Sequence, residues 1–410
     1  MYRRLGYLSR WLIRALLLVL LAGCANAPVL PPAAPRFAGE PIRVGLLHSL
    51  SGTLALSEIP VRNAALLAIN EINARGGVLG RKLVPVVADG ESDPATFAAA
   101  ARRLIEEDRV AAIFGGWTSA SRKAILPVVE ASGSMLWYPV QYEGLEQSPN
   151  IVYLGATANQ QIVPAVEYLL AQGKRRFFLL GSDYIFPRTA NTIVAAQLAS
   201  VGATVAGEAY VPLGATAFTE TIAAIRASGA DVVLNTLNGD SNVAFFQQLQ
   251  AAGLDAATMP TLSVSIAEPE VRAIGAELMA GHLAAWNYFQ STPTPANRAF
   301  VEAYRARYGA RQVTSDPMEA MYTGVYLWAA AVERAGAIEV GAVRAVLSGL
   351  RFSAPEGEVE LDGATQHMVK TARVGRVEPG GQFVEVWHSA APIPPDPFLT
   401  SYPWASSIRP

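Results

Sequence analysis

From Pro41 onward, short apolar runs alternate with longer segments whose apolar residues recur at helical spacing. The clearest helical segment carries Val61, Ala65 and Ile69 on one face and ends at a Gly-Gly pair that suits a helix C-cap. The apolar runs lack regular polar alternation, which is typical of strands buried on both faces. Helices between such strands predict right-handed βαβ units and therefore an α/β fold with mostly parallel sheets. The runs cover residues 42–47, 83–88, 110–114, 135–138, 177–180, 231–234, 259–264 and 281–285.

This alternation of strands and helices occurs twice, over residues 42–153 and again over 177–285. An open parallel sheet places its ligand crevice at the carboxyl ends of its strands. Two such sheets that face each other across those ends predict a cleft that closes on a ligand by hinge motion. A helical block and a β-like segment follow, at residues 295–308, 316–335, 340–350 and 359–388.

The first residues of the chain have the pattern of an export signal. Four arginines precede an apolar run, residues 15–21, that is too short to span a bilayer. The run ends in Leu-Ala-Gly-Cys, which predicts a lipoprotein signal peptide at 1–23, a lipid on Cys24 and a Pro/Ala-rich tether at 24–40. An uncleaved N-terminal anchor helix is the alternative. Cys24 is the only cysteine, so no disulfide can form within the chain.

Composition and motifs exclude several classes of function. The net charge of −2 and the lack of a basic stretch argue against nucleic-acid binding. The sequence has no nucleophile elbow, phosphate loop, dinucleotide fingerprint or His-Glu-x-x-His motif, so we expect no enzyme and no cofactor. The four histidines lack metal-ligand spacing, and we expect no metal. Only His48 directly follows an apolar run, and we favour a structural or rim histidine over a catalytic base there.

The loop after the third apolar run is the first candidate binding element. It reads Gly-Gly-Trp117-Thr118-Ser119 and leads straight into a helical segment. Two glycines allow a ligand to approach the backbone, and Thr118 or Ser119 can cap the helix. The free N–H groups at the helix start then suit an oxygen, either of a carboxylate or of an amide carbonyl. An ordinary capped helix without a ligand is the alternative.

Polar and aromatic clusters follow other runs in the same way. Trp137 is expected in the core, and Tyr138 points to the opposite face because side chains alternate along a strand. Each cluster alone could be turn chemistry, since Asn, Asp and Gly favour turns, and Glu319 could be a dipole-favoured acid at a helix start. The candidates are Tyr138, Pro139, Val140 and Tyr142; Asp183 and Tyr184; Leu237, Asn238 and Asp240; Trp286 and Tyr288; and Glu319.

The sequence contains several long and specific motifs: HSLSG, TSASRKAILPVVE, YPVQYEGLEQSPNIVY, GSDYIFPRTAN, NTLNGDSNVAFF and AAWNYFQS. These motifs resemble the urea-binding component of urea ABC transporters, within the wider group of type I periplasmic binding proteins. The resemblance runs from about residue 42 to residue 398. It implies two lobes joined by three crossover segments that close on urea or a short amide, with ABC permease subunits as partners and a periplasmic or cell-surface location. We assign residues 41–158 and 286–366 to lobe 1, 159–285 and 367–390 to lobe 2, and 391–410 to a Pro-rich surface tail.

The same group contains a cytoplasmic amide-sensing regulator, and its pocket can be carried over by position. Its pocket aromatic and serine fall on Trp117 and Ser119, its tyrosine-led loop on residues 138–142, and its second-lobe tyrosine on Tyr184. Its later loops fall on Leu237, Asn238 and Tyr288. This sequence departs from the regulator at Trp117, which replaces a tyrosine, and at Val140-Gln141, which replaces Thr-Pro; both changes match the urea branch.

Urea fits the chemistry of these residues but is not required by it. It has four N–H donors and one carbonyl and no net charge, so it needs several acceptors and one or two donors. Candidate acceptors are Asp183, Asn238, Asp240, Glu143 and Glu319, and Ser119 or helix N–H groups could hold the carbonyl. The same acids could pair with the ammonium of an amino acid, so a receptor for short amides or branched-chain amino acids, or a periplasmic sensor, remains an alternative.

Overall fold

A computed structural model describes residues 37–408. The predicted signal peptide, Cys24 and nearly all of the predicted tether lie outside the described residues, as do the last two residues. The strands are β1 Ile42–His48, β2 Leu83–Asp89, β3 Ile113–Gly115, β4 Leu136–Tyr138, β5 Ile151–Tyr153, β6 Arg176–Ser182, β7 Thr204–Val211, β8 Val232–Thr236, β9 Thr261–Ser263, β10 Leu283–Trp286, β11 Arg351–Ala354, β12 Gly357–Asp362, β13 His367–Val369, β14 Arg373–Val377 and β15 Phe383–His388.

The helices alternate with these strands through most of the chain. They are α1 Ala55–Ala74, α2 Pro94–Glu106, α3 Ser119–Ser132, α4 Ile162–Ala171, α5 Ile185–Ser200, α6 Thr219–Ser228, α7 Ser241–Ala251, α8 Glu268–Ile274, α9 Ala276–Met279, α10 Pro295–Tyr308, α11 Asp316–Ala335 and α12 Val340–Ala345. None of those between residues 37 and 408 combines the length and apolar character of a membrane span.

The strands form two sheets. The first has the order β11-β12-β13-β5-β4-β3-β1-β2, and the second has the order β15-β14-β10-β9-β8-β6-β7. β1 to β5 pair in parallel, as do β6 to β10, and antiparallel pairing occurs at the edge formed by the late strands. The predicted α/β class with mostly parallel sheets is therefore confirmed.

The chain passes between the sheets three times, after β5, after β10 and after β13. The third passage differs from the predicted boundary at residue 366. β13 (His367–Val369) belongs to the first sheet, because Leu361 pairs with Met368 and Tyr153 with His367. The passage to the second sheet therefore falls between β13 and β14 rather than before β13. We refer to the two sheets with their helices as the first and second lobes.

Three strands were not predicted, for different reasons. β5 is apolar and buried but has only three residues, whereas β7 (Thr204–Val211) and β11 (Arg351–Ala354) are edge strands with mostly exposed or half-buried side chains, so they produce no apolar run. The last predicted helix ends at Ala345 rather than at residue 350.

The C-terminal tail is packed more closely than predicted. Leu399 and Ala405 are fully buried in the hydrophobic core of the second lobe. The Pro397 carbonyl oxygen accepts a hydrogen bond from Leu145 N (2.7 Å) of the first lobe. The tail is therefore an integral part of the fold. Its apolar side chains Leu399 and Ala405 are buried in the second lobe, and its backbone is hydrogen-bonded to the first lobe.

Candidate functional site

The loop between β3 and α3 has the geometry that its sequence predicts. Thr118 is the N-cap of α3, and its side-chain oxygen accepts a hydrogen bond from Ser121 N (3.0 Å). The first of the glycines before it is required by the close packing of β3 against β1. A Cβ atom at Gly115, where φ is +149°, would lie 1.9 Å from the Leu47 carbonyl oxygen, so only glycine fits so close to β1.

Behind this helix start lies a buried group that we call the Arg122 cluster: Arg122, Lys123, Glu143 and Glu146. Arg122 is fully buried, and its guanidinium donates to Glu143 Oε1 (3.2 Å) and to Glu146 Oε1 (2.7 Å). Lys123 Nζ donates to Glu146 Oε2 (2.8 Å). Two cations therefore face two carboxylates, and the formal charges of the cluster cancel.

The electrostatics of the Arg122 cluster favour the charged forms. Burial opposes the charge of Arg122, but the neighbouring carboxylates outweigh it and raise the pKa of Arg122. Burial also opposes the charge of Glu146, yet Arg122 and Lys123 lower the pKa of Glu146 to about 2. The guanidinium carbon lies 5.1 Å from the ring centre of Tyr138 and 4.4 Å from that of Tyr142, within cation–π distance.

The side chain of Ser119 forms its hydrogen bonds within this cluster. Its hydroxyl donates to Glu143 Oε2 (2.5 Å) and accepts from Arg122 Nη1 (3.0 Å). With its only hydroxyl proton used by Glu143, Ser119 does not have a free side-chain donor for a ligand carbonyl. Trp117 Nε1 is a buried donor without a hydrogen-bond partner within residues 37–408, as is Trp137 Nε1 in the core beneath it.

The two predicted tyrosines of the first lobe differ in their surroundings. Tyr138 donates its hydroxyl to the Trp117 carbonyl oxygen (2.5 Å), so its ring lies beside the α3 start. Tyr142 donates to the Glu146 carbonyl oxygen (2.9 Å) and stacks on Tyr153 in the first-lobe core. Tyr142 therefore anchors in the core the loop of residues 138–142, which we call the site loop. Pro139 and Val140 are buried on the same loop.

Tyr184 is the second-lobe residue that approaches this group. It is half-buried at the N-cap of α5, and burial raises its pKa, with a further rise from Tyr138 and Glu143 across the lobes. Asn238 is buried on a neighbouring loop, where its backbone N–H donates to Ser182 Oγ (3.1 Å). Trp117 and Tyr138 are therefore in contact, and Tyr184 lies across the lobes within range of the charges of Tyr138 and Glu143, with Asn238 at the neighbouring strand end.

Side-chain hydrogen bonds join the lobes around this region. Thr53 hydrogen-bonds to Asp240, and Ser57 Oγ donates to Glu270 Oε1 (2.6 Å). Gln141 Nε2 donates to the Val264 carbonyl oxygen (2.9 Å). The lobes are therefore in contact across their strand ends.

Several predicted residues lie away from this group. Trp286 Nε1 donates to the Ile266 carbonyl oxygen (2.7 Å) and its ring is in a second-lobe core cluster, where Leu237 also packs. Tyr288 donates to Asn297 Oδ1 (2.6 Å) in the core of the first lobe. Asp183 is exposed and pairs with Arg188 (2.7 Å).

Glu319 belongs to a second buried group, which we call the Lys370 cluster: Asp316, Glu319, Glu356 and Lys370. Lys370 Nζ contacts Glu356 Oε1 (2.9 Å), and Asp316 Oδ2 accepts from the backbone N–H groups of two residues that follow β10. Burial raises the pKa of Asp316 to about 6 and raises that of Glu319 well above its usual value. This cluster lies where the second and third passages between the lobes meet.

Sequence reasoning missed Arg122, Glu146 and Gln141. The available signal was the spacing of Ser119 and Arg122, three residues apart on one helix face. His48 is fully buried, with Nδ1 3.5 Å from Glu58 Oε2. Within residues 37–408, no group of three or more His, Cys, Asp or Glu side chains is arranged to hold a metal ion.

Comparison with known proteins gives one family match and several relatives. Residues 42–403 match the model of a periplasmic binding protein domain. A Leu/Ile/Val-binding protein homolog from Brucella melitensis is 25% identical over 393 residues, which cover 91% of this chain and 97% of that protein. A limonene hydroxylase from Geobacillus stearothermophilus is 31% identical over 128 residues, and the match spans only 23% of its length and 31% of this chain.

Among solved structures, a solute-binding protein of an ABC transporter from R. palustris, in complex with 4-hydroxybenzoate, has a TM-score of 0.81. It is 24% identical, and the match covers 89% of this chain and all of that one. At this identity the similarity shows a shared fold.

Proposed function

Because this chain belongs to the periplasmic binding protein family, we propose that it captures urea or a short amide between its two lobes and delivers it to an ABC importer. The family match and the export signal pattern at residues 1–23 support a location outside the cytoplasm. Binding and release leave the solute chemically unchanged. The proposal is carried by one observation: the charges beside Trp117 and Tyr138 are already cancelled within the Arg122 cluster.

A balanced cluster favours an uncharged ligand. A carboxylate ligand that paired with the Arg122 guanidinium would have to displace Glu143 or Glu146, which share it. An ammonium ligand that paired with Glu143 would have to displace Ser119 or Arg122, from which Glu143 accepts. A charged ligand that paired with the cluster in either way would break buried polar contacts, which is costly because one partner is left buried and uncompensated.

The groups that remain suit an amide. Trp117 Nε1 and the first N–H groups of α3 can donate to a carbonyl oxygen. The rings of Trp117, Tyr138 and Tyr184 can cover a small planar solute on its faces. Each N–H of urea that is buried without an acceptor would cost about 1–3 kcal/mol, so the site must also supply oxygens.

Leucine and 4-hydroxybenzoate are the informative competitors, because the named relatives point to ligands of these two classes. We suggest calorimetry on the full-length chain in detergent, with urea, acetamide, leucine and 4-hydroxybenzoate compared at one pH. We expect urea to bind most tightly. Tighter binding of leucine or of the aromatic acid would overturn the proposed ligand class.

A conservative variant tests the site itself. Trp117→Phe keeps an aromatic ring but removes the Nε1 donor, so urea affinity should fall about tenfold through one lost hydrogen bond. Trp387→Phe, in the second lobe beside Tyr168, is the matched control and should leave the affinity unchanged. Equal effects of both variants would argue against a site at Trp117.

We also propose that the mature chain is held at a membrane by a lipid on Cys24. This follows from the Leu-Ala-Gly-Cys sequence alone, which lies outside the described residues. Cys24→Ser should release the protein into the soluble fraction of fractionated cells. Persistent membrane association of that variant would contradict the lipid anchor.

A further inference from the structure

Gln141 makes a contact that no other residue of the site loop makes among residues 37–408. The loop runs from Tyr138 to Tyr142, and from it Gln141 Nε2 reaches the second lobe at the end of β9. There it donates to the Val264 carbonyl oxygen (2.9 Å) and to Ser265 Oγ (3.2 Å). Gln141 is 4% exposed, so these bonds are shielded from water.

The orientation of this amide is fixed by its partner. The Val264 carbonyl can only accept, so the NH2 group of Gln141 must face it. The other amide atom, Oε1, is then left buried, without a hydrogen-bond partner among the residues that the structure describes. Buried polar atoms are rarely left unpaired, and each exception calls for a reason.

We infer that Gln141 is a specificity-determining residue that couples ligand recognition to closure of the lobes: Oε1 accepts an N–H of the bound solute while Nε2 holds the second lobe. This inference rests on the proposed function, because it needs a solute with an N–H donor. It deepens that proposal by naming an acceptor that the urea or amide N–H groups require.

The position of Gln141 supports this reading more than the unpaired oxygen alone does. Gln197 provides the comparison, because it is also 4% exposed, its Nε2 donates to a carbonyl oxygen (Val163, 3.1 Å), and its Oε1 also has no partner within residues 37–408. Gln197 joins two helices of the same lobe, α5 and α4. Only Gln141 of these two lies between Tyr138 and Tyr142 and bonds across the lobes.

A ligand that bonds to Oε1 would also strengthen closure. An amide polarised at its oxygen is a better donor at its nitrogen, because linked hydrogen bonds reinforce one another in a shielded interior. Ligand binding and the bond to Val264 would therefore stabilise each other. By linkage, loss of the bond to Val264 should lower ligand affinity.

The test compares wild type, Gln141→Met and Gln197→Met, all as full-length chains in detergent. Methionine keeps the side-chain length and volume but has neither the donor nor the acceptor. Calorimetry measures affinity for urea and acetamide, and fluorescence energy transfer between dyes on the two lobes measures closure. We expect Gln141→Met to lose about tenfold or more in urea affinity and to show a more open distribution, with Gln197→Met within about twofold of wild type.

The outcomes separate the inference from the function on which it rests. If wild type binds urea and Gln141→Met binds it equally well with the same closure, the inference is overturned and the proposed function stands. If wild type binds leucine but neither urea nor acetamide, the proposed function fails, and the recognition of a urea or amide N–H that we assign to Gln141 fails with it. Equal losses in both methionine variants would show a general packing effect and would also overturn the inference. Melting temperatures of all three proteins show whether a variant fails to fold. If Gln141→Met does not fold, Gln141→Glu takes its place. The glutamate retains the acceptor and loses the donor, so this variant should bind urea but close less completely.

Discussion

The two buried charge clusters of this chain differ in balance. The Arg122 cluster has two cations against two carboxylates, whereas the Lys370 cluster has one cation against three carboxyl groups. In the first, ion pairing lowers the pKa of Glu146 to about 2. In the second, burial raises the pKa of Asp316 to about 6, and Lys370 only partly offsets it. A buried carboxyl group therefore stays charged where an equal number of cations lies beside it, and its pKa rises where cations are too few.

This difference suits the places that the clusters occupy. The Arg122 cluster lies behind the candidate ligand site. Its positive and negative charges cancel, which favours an uncharged solute at that site. The Lys370 cluster lies where two passages between the lobes meet, and Asp316 there holds the backbone N–H groups of Asn287 and Tyr288 at 2.9 Å each. A change of protonation in the second cluster would act on the connection between the lobes rather than on the site.

The largest expected effect comes from breaking the balanced cluster. Arg122→Met leaves Glu143 and Glu146 buried with only Lys123 nearby, so we expect a loss of about 5 kcal/mol in the free energy of unfolding, at the upper end for a broken buried ion pair. Denaturation measures this loss. Guanidinium chloride is used instead of urea, because urea is the proposed ligand. Lys123→Met is the control. Its side chain is 42% exposed, and we expect a loss of under about 1 kcal/mol. Similar losses for both variants would contradict the assignment of Arg122 as the centre of the cluster.

Removing the cation of the unbalanced cluster should cost less. Lys370→Met leaves Glu356 without its partner, but the acids of this cluster can take up protons, which limits the penalty to about 3 kcal/mol. The same denaturation series measures this loss. We expect the loss to shrink at pH 5 compared with pH 8, because Asp316, with a pKa of about 6, is protonated at pH 5 and no longer depends on the charge of Lys370. A loss that is independent of pH would contradict the raised pKa of Asp316.

Much of the fold could be predicted because its signals are local. Apolar runs mark β1 and β6, helical spacing marks α1, and the Thr118 cap follows from residue type and position. These features depend on residues close in the sequence. The loop at the end of β3 could also be predicted as a candidate site, because it directly follows an apolar run and ligand crevices lie at the carboxyl ends of parallel strands.

The centre of the site could not be predicted because it depends on distant contacts. A charged residue such as Arg122 is normally exposed on a helix, and its partner Glu146 lies 24 residues away in the sequence. The loop that brings Glu146 back is held by Tyr142 N, which donates to the Ala156 carbonyl oxygen (2.9 Å), and by Leu145 N, bonded to Pro397 in the tail. The Lys370 cluster likewise combines residues of α11, the turn between β11 and β12, and the third passage, so no local pattern marks it.

The pH dependence of stability tests the unbalanced cluster more finely. The pKa of Asp316 is about 6 in the folded chain and about 3.8 when unperturbed. Between these values the folded state holds a proton that the unfolded state has lost, so stability falls as pH rises from about 4 to about 6 and then levels off. Asp316→Asn keeps an acceptor for Asn287 and Tyr288 and removes this titration. Its stability relative to wild type should therefore rise across that interval, measured by denaturation at pH 4, 5, 6 and 7. A constant difference would contradict the raised pKa.

Replacing Glu319 should have the smallest effect. Burial and the charge of Glu356 raise the pKa of Glu319 well above its usual value, so its carboxyl group holds a proton at higher pH than an ordinary glutamate does. Glu319→Gln keeps the shape of the protonated side chain and the acceptor for Thr323 Oγ1 (2.8 Å), and we expect a change of under about 1 kcal/mol in the free energy of unfolding. Glu146→Gln makes the matched change in the balanced cluster, where the carboxylate is charged, and should cost several times more. If the two substitutions proved equally costly, Glu319 would have to carry a charge, and burial without matched partners would not be what distinguishes the two clusters.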